Sequence, residues 1–275
     1  MLILDCALKL GALRTILHRK LPESIFVYGG LVHIMNNNRC HLEMCVDSWP
    51  NFSTVICRRQ KQALAALPNL CTLLTKDVAS MKMMLMDDRV IDWKQDLLMT
   101  GIPSCYGGLL KEIGISNGME VKYYDSLKLF VKNDPWNVQF KENDLESKIS
   151  SLNVSHAELV YRQLSYGGHE LIQSHVRSCI QNLPSSCILD EEGNPVSWLL
   201  MDEFYSLRMG FSMPEYRKHG YMKTVTATLI NEANSLGLPV FGNVHKTNAK
   251  MIQLMKCMGF TPHSEEYVHL LISAK

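Results

Sequence analysis

The sequence predicts an α/β protein in which helices flank mixed β-sheets, and three observations support this fold class. Apolar residues make up 47% of the 275-residue chain and charged residues 20%, which is the balance of a globular protein with a full core. Runs rich in β-branched and aromatic residues alternate with segments of helical periodicity. A polar stretch over residues 132–147 separates two halves, each containing both kinds of segment.

The first half begins with an amphipathic helix over residues 1–20, for which a mitochondrial address is the alternative interpretation. Three β-rich runs follow at 25–35, 41–46 and 53–58. Asn36 to Asn38 predict a hairpin turn, so the three runs are expected to form an antiparallel meander. Helical and mixed segments then occupy 60–114, and further strands are predicted at 119–124 and 127–131.

The second half begins after the polar stretch, so we place the domain boundary between residues 143 and 144. Ser155-x-x-Glu158 has the form of a capping box and predicts a helix start. The predicted elements are a strand at 149–152, helices from 155 and at 169–182, strands at 186–190, 195–201 and 205–212, a helix at 220–236, a strand at 238–245, a helix at 248–258 and a strand at 266–272.

This order resembles the GCN5-related acetyltransferase fold. The first half, a helix followed by three strands and mixed elements, is expected to be a degenerate copy of the same unit. The chain is therefore predicted to be a tandem GCN5-related (GNAT-like) fold made of domains 1–143 and 144–275, with the acyl-CoA site in the second.

Charge and cysteine content restrict the function classes. The formal net charge is +1, which predicts no nucleic-acid partner, and no apolar run approaches the ~20 residues of a membrane span. The nine cysteines are an odd number without a C-x-x-C pair, which favours a reducing compartment and argues against a zinc site. We expect an intracellular monomer, mitochondrial or cytoplasmic, without a metal cofactor.

A candidate anion site lies between a predicted strand and the long helix at 220–236. A glycine-containing loop that feeds a helix N-terminus presents backbone N–H groups and the positive end of the helix dipole to a phosphate. Residues 206–260 carry seven Lys or Arg against Glu215 and Glu232, so the local charge is 7 − 2 = +5. A coenzyme with a pyrophosphate and a 3′-phosphate suits such a segment.

Arg217-x-x-Gly220-x-Met222 resembles the R/Q-x-x-G-x-G/A signature of GCN5-related acyltransferases, although Met222 stands where Gly or Ala is usual. Further segments are similar to the glycine N-acyltransferase-like family: LPESIFVYG (21–29), VDSWPNF (46–52), DWKQ (92–95), SHAELV (155–160), GGHE (167–170), GNPVSW (193–198) and LRMG (207–210). The resemblance covers nearly the entire chain. It implies transfer of an acyl group from acyl-CoA to the amine of glycine or another small amino acid.

The resemblance also implies roles for particular positions. In the family, the general base is a glutamate two residues before the arginine of the LRMG strand, and this position is Ser206 here. Glu203, Tyr205 and His245 are the candidate substitutes, with a solvated strand-end histidine as the alternative for His245. The expected coenzyme-binding residues are Leu207, Arg208, Met209, Gly210, Arg217, Lys218, His219, Gly220, Tyr221, Met222 and Asn248.

Two rival functions stay open at this point. A protein or polyamine N-acetyltransferase is one, although an acidic groove is expected for polyamines and the C-terminal third is basic. The other is a catalytically weak acyl-CoA-binding paralogue, for which Ser206 is the supporting feature.

Overall fold

A computed structural model of the chain describes residues 1–132, 148–165 and 167–274. They form two compact units, residues 1–128 with 264–275 and residues 129–263. The boundary predicted at 143/144 and most of the polar stretch lie outside the described residues. No helix among the described residues is both long and apolar enough to cross a membrane.

In the described residues of the first half there are six strands and four α-helices. They are β1 (Leu2–Leu4), α1 (Ala7–His18), α2 (Ile25–Met35), β2 (Leu42–Val46), β3 (Thr54–Arg59), β4 (Leu70–Thr75), α3 (Val78–Leu85), β5 (Leu97–Pro103), α4 (Ser104–Ser116) and β6 (Glu120–Val131).

The run at 25–35 is a helix, so the strand predicted there is wrong. Its sequence is apolar all round, and every residue from Ile25 to His33 is buried in α2. Periodicity cannot distinguish a fully buried helix from a buried strand, and the β-branched and aromatic residues tipped the prediction towards a strand. The first helix is confirmed in part, because α1 starts only at Ala7 and follows a short strand.

The meander of the first half is formed by β2, β3 and β4 rather than by the three predicted runs. Asn36 to Asn38 therefore end α2 instead of turning a hairpin. β4 pairs with β5 in parallel and β1 pairs with β2 antiparallel. The core of this unit contains fully buried residues such as Ile56, Met81 and Met99.

The part of the second half that the structure describes contains six further strands and four α-helices. They are β7 (Ile149–Ser150), α5 (Ala157–Arg162), α6 (Glu170–Asn182), β8 (Ser185–Leu189), β9 (Pro195–Met201), β10 (Ser206–Ser212), α7 (Tyr221–Ser235), β11 (Phe241–His245), α8 (Ala249–Cys257) and β12 (Thr261–Ser273).

The predicted elements of this half are confirmed within a few residues, but two local predictions are wrong. The helix start is capped by Asn153 and not by Ser155. The Asn153 side chain accepts a hydrogen bond from the Ser155 N–H, and the His156 side chain accepts one from the Asn153 N–H. Glu158 pairs with Arg162 instead. The helical periodicity of 220–236 predicts that Met222, Val225, Leu229, Ala233 and Leu236 face inward. Val225, Leu229 and Ala233 are buried in α7, whereas Leu236 is 54% exposed.

Both halves have the same element order, a strand, two helices, three strands, a helix, a strand, a helix and a strand. The fold is therefore a tandem repeat of one α/β unit. The last strands are exchanged: β5 has β12 as its neighbour, and β11 has β6. The first unit thus includes residues 264–275 from the end of the chain, and the second unit includes only the last residues of β6, 129–131.

Candidate acyl-CoA site

Strand β10 is interrupted in the middle. Its antiparallel pairing with β9 shifts register between Arg208 and Phe211, and Met209 has a positive φ of 57°. Such a bulge turns backbone groups out of the ladder. Polar backbone groups of residues 209–210 are thereby available to a partner other than β9.

β10 and β11 pair in parallel only at Ser206–Phe241 and Leu207–Gly242. In the continued register Arg208 would face Asn243, but no ladder pairing follows in this part of the described structure. The two strands therefore diverge at the point where the bulge begins. A gap between two parallel strands can admit an extended ligand whose amide groups take over the backbone hydrogen bonds.

The loop from β10 to α7 ends at Gly220, which has a φ of +81° and directly precedes the helix. Glycine adopts this left-handed conformation without steric cost. The first turn of α7 contains no acidic residue and receives no side-chain cap. Its backbone N–H groups and the positive end of its dipole therefore point towards the loop.

Arg217 is held in this loop by two contacts. Its Nε donates a hydrogen bond to the Ser212 carbonyl at 2.9 Å, and its guanidinium lies 5.3 Å from the centre of the Phe211 ring. The neighbouring Lys218 and His219 are exposed, and the ring centroids of His219 and Tyr221 are 5.7 Å apart. The structure thus brings the predicted cations to the N-terminus of α7.

Met222 stands where the family signature has a small residue, and its side chain covers the bulge. A Cβ atom added to Gly210 would lie 2.9 Å from Leu199 Cδ1 and 3.6 Å from Met222 Sδ. Gly210 therefore leaves room for Leu199 of β9, while Met222 of α7 would lie at ordinary contact distance from an added Cβ. The predicted residues 207–210 lie on β10, and residues 217–222 lie in the loop before α7 and in the first turn of that helix.

Ser206 is fully buried, and its Oγ has no hydrogen-bond partner among the described residues. Its backbone N–H donates to Asp202 Oδ1 at 3.0 Å. Asp202 is also buried, and its other oxygen, Oδ2, lies 3.6 Å from Arg208 Nη1. Burial raises the pKa of Asp202, and the nearby Arg208 opposes this rise.

Glu203 lies in the loop between β9 and β10, not on a strand. Its Oε2 is 3.4 Å from His175 Nδ1 and 3.6 Å from Cys179 Sγ, and all three residues are buried. The three ligand atoms lie within 4.8 Å of one another, so the group could hold a metal ion.

His245 is exposed at the end of β11, where its Nδ1 lies 2.7 Å from Thr247 Oγ1. Asn248 caps α8 by accepting a hydrogen bond from the Met251 N–H at 3.1 Å. The three candidate substitutes for the base therefore differ in surroundings. Glu203 and Tyr205 are buried and His245 is open to solvent.

The sequence prediction missed Asn243, which lies on β11 beside the divergence. Its amide Oδ1 and Nδ2 are buried without a hydrogen-bond partner in the described part of the chain. A signal was present, because Asn243 is the one polar side chain between Leu238 and Val244. The prediction also missed the pair His175 and Cys179, whose i, i+4 spacing on an amphipathic helix was visible.

Comparison with known proteins identifies the family. Residues 1–184 match the aralkyl acyl-CoA:amino acid N-acyltransferase family, and residues 186–270 match its C-terminal region. This chain belongs to that family. It is 33% identical to rat glycine N-acyltransferase, with 94% of each chain covered. It is 32% identical to bovine glycine N-phenylacetyltransferase, with 86% of this chain and 87% of the relative covered.

Solved structures confirm the fold. A Drosophila protein superposes with a TM-score of 0.76 at 16% identity, covering 98% of this chain and 97% of its own. A GCN5-related N-acetyltransferase-like protein from Streptococcus suis superposes with a TM-score of 0.52 at 14% identity, covering 97% of this chain and 99% of its own. The GCN5-related fold expected from the element order is therefore confirmed.

Proposed function

We propose that this chain transfers an acyl group from an acyl-CoA thioester to the amine of glycine or another small amino acid. The observation that carries the proposal is the coincidence of three features in one unit: the bulge in β10, the divergence of β10 from β11, and the uncapped N-terminus of α7. Family membership supports the same reaction.

The donor is assigned to the two elements that meet at Gly210. The pyrophosphate would bind the first N–H groups of α7 and the cations Arg217 and Lys218, which provide both hydrogen bonds and charge. The pantetheine arm would lie between β10 and β11 and bond to the backbone of residues 207–210. The thioester carbonyl oxygen would then accept hydrogen bonds from backbone N–H groups at the bulge. These bonds would stabilise the negative charge that develops on this oxygen during transfer.

The chemical step requires an uncharged amine. Its nitrogen attacks the thioester carbon, the C–S bond breaks, and the proton lost by the nitrogen ends on the CoA thiol. A serine hydroxyl cannot accept a proton at neutral pH, so Ser206 cannot replace a glutamate as general base. Without a positioned base, the reaction depends on amine that is already uncharged in solution or on a water relay that removes its proton. This predicts slow turnover near neutrality.

A second candidate function follows from Ser206. A chain that binds acyl-CoA well and lacks the base would behave as a weak enzyme or as an acyl-CoA-binding protein. An N-acetyltransferase of proteins or polyamines is the less favoured rival, because the residues around the proposed donor site are basic.

The proposal is tested by incubating the purified chain with a panel of acyl-CoAs crossed with amino acids. Release of free CoA thiol together with N-acyl amino acid by mass spectrometry is the expected result. Tight acyl-CoA binding with no amide product would favour the binding protein, and products with polyamines alone would favour the rival enzyme.

We also propose an intracellular location in a reducing compartment, mitochondrial or cytoplasmic, since none of the nine cysteines, all of which the structure describes, is in a disulfide. The chain is proposed to act as a monomer.

A further inference from the structure

We infer that Arg208 and Asn243 form the binding site for the carboxylate of the acceptor, so that an α-amino acid is selected over a simple amine. The inference rests on the proposed function, whose acceptor it defines. It starts from the position of these two residues at the divergence of β10 and β11.

Strand geometry places the two side chains on one face. Ser206 is opposite Phe241 and Leu207 is opposite Gly242 in the parallel ladder. Because side chains alternate along a strand, Ser206, Arg208 and Asn243 share one face of the sheet, and Arg208 and Asn243 are the first residues beyond the last ladder pair. The opposite face is covered near Gly242, where an added Cβ would lie 3.5 Å from Met255 Cε.

This face carries hydrogen-bonding capacity that the described residues do not use. Both polar atoms of the Asn243 amide and the Ser206 hydroxyl are buried without a hydrogen-bond partner in the described structure. Buried polar atoms are normally paired, so several unpaired ones at one place indicate a site completed by water or by a ligand. Asn243 offers two donors and one acceptor, and Ser206 offers one of each.

The charge of the face selects the ligand. Arg208 supplies a planar cation suited to a carboxylate, and its Nη1 lies 3.6 Å from Asp202 Oδ2. A zwitterionic amino acid matches this set. Its carboxylate accepts from Arg208 and from Asn243 Nδ2, and its amine donates to Asn243 Oδ1 or Ser206 Oγ. The amine then lies beside the bulge, where the thioester carbonyl is proposed to bind.

The first test measures binding, which needs no turnover. ¹³C-labelled glycine is titrated with the CoA-saturated protein and its line broadening is followed. Glycine should bind, and glycinamide, which lacks the carboxylate, should bind at least about tenfold more weakly. Asn243→Asp places a like charge against the substrate carboxylate and should weaken glycine binding by about 10²-fold. Asn51→Asp, which adds the same charge in the first half of the chain, is the matched control.

A second variant guards against misfolding. Arg208→Gln alone would leave Asp202 buried without its cation, so it is combined with Asp202→Asn, which removes both charges. In a turnover assay at equal free-amine concentration, this double variant should lower the glycine-to-glycinamide ratio of kcat/KM by about 10²-fold. Circular dichroism and thermal unfolding verify that each variant is folded.

The outcomes separate this inference from the proposed function. Equal binding of glycine and glycinamide to the natural protein, or no glycine binding, would overturn the carboxylate site. Glycine binding that depends on Asn243 in a protein without transferase activity would support the site and overturn the proposed function.

Discussion

The cysteines occupy two kinds of surroundings, which sets their reactivity. Cys45, Cys57 and Cys71 are buried on adjacent strands, and burial raises the pKa of each thiol, that of Cys71 to about 12. Cys6 is exposed and precedes α1, where the backbone N–H groups of Lys9 and Leu8 lower its pKa. Thiolate is the reactive form, so the buried cysteines and Cys6 should differ strongly in their rates of reaction with thiol reagents.

We expect a thiol reagent to label Cys6 first in the native protein. Because the pKa of Cys6 lies below and that of exposed Cys105 lies above the ordinary value, the labelling of Cys6 should rise at lower pH than that of Cys105. Peptide mapping after short exposure to iodoacetamide at pH 7 and pH 8.5 measures both. Early labelling of Cys57 or Cys71 without denaturant would contradict the packing of β3 and β4.

Ser206 determines the expected pH dependence of catalysis. If no residue acts as general base, the rate of transfer to glycine should rise about tenfold per pH unit between pH 6 and 9, since the free-amine fraction rises by this factor below the amine pKa. Initial rates at saturating acyl-CoA measure this dependence. A plateau that begins near pH 7 would show that a positioned base exists, and His245→Ala would then be the first variant to assay.

At the scale of elements, the loop between β2 and β3 is organised by Asp47. Its carboxylate accepts hydrogen bonds from the Ser80 hydroxyl at 2.6 Å and from the backbone N–H groups of Ser48, Ser53 and Thr54. Burial raises the pKa of Asp47, but these hydrogen bonds outweigh burial and the net pKa is lowered. Asp47 belongs to one of the family-like segments, and its evident role is structural.

We expect Asp47→Asn to lower the free energy of unfolding by about 1–3 kcal/mol at pH 7, because an amide cannot accept all of these bonds. A carboxylate with a lowered folded pKa stabilises the protein above its unfolded pKa, and this stabilisation is lost as pH falls through the folded pKa. The difference between variant and natural protein should therefore shrink below about pH 4. Urea unfolding at several pH values measures it, and the exposed Asp5→Asn is the control.

A difference that persists unchanged to pH 2 would show that the ionised carboxylate of Asp47 does not provide the stabilisation.

Gly220 separates backbone strain from charge at the start of α7. An added Cβ meets nothing within 4 Å, but the φ of +81° makes any side chain cost about 1–2 kcal/mol. Gly220→Asp and Gly220→Asn share this cost and nearly the same shape. Only Asp places a negative charge where the pyrophosphate is proposed to bind.

We therefore expect similar thermal stability for the two variants and a CoA affinity at least tenfold lower for Gly220→Asp than for Gly220→Asn. Calorimetric titration of CoA into each protein is the measurement. Equal CoA affinities of the two variants would show that the pyrophosphate does not bind at this loop.

The sequence predicted elements well where their environment is ordinary. The helix α7 has a polar and an apolar face, and the strands β8 to β10 are separated by polar turns, so their positions were predicted within a few residues. The helix α2 was missed because it has no polar face. The site was predicted in part, since the segment 207–222 follows from a local pattern, whereas the pairing of Arg208 with Asp202 and the position of Asn243 depend on strand register.

At the scale of the whole molecule, the two repeats are interdependent because they exchange their last strands. β12 pairs with β5, and its Tyr267, Val268, Leu270 and Ile272 are at most 1% exposed. Four such side chains contribute roughly 6–12 kcal/mol when buried. This is comparable with the whole stability of an ordinary domain, about 5–15 kcal/mol, so neither repeat is expected to fold without the other's strand.

The division predicted at 143/144 provides the test, because it falls between β6 and β7. We expect fragments 1–143 and 144–275 to be insoluble or unfolded when expressed separately. Fragment 1–143 leaves β5 without β12, and fragment 144–275 leaves β11 without β6. When co-expressed, the fragments should copurify and bind acyl-CoA, since the cut breaks one peptide bond and removes no strand. Circular dichroism and copurification with a tag on one fragment measure the outcome. A folded fragment 144–275 that binds acyl-CoA alone would show that the second repeat does not need the exchanged strand. The exchange would then reflect how the chain connects the two repeats and would not be required for their stability.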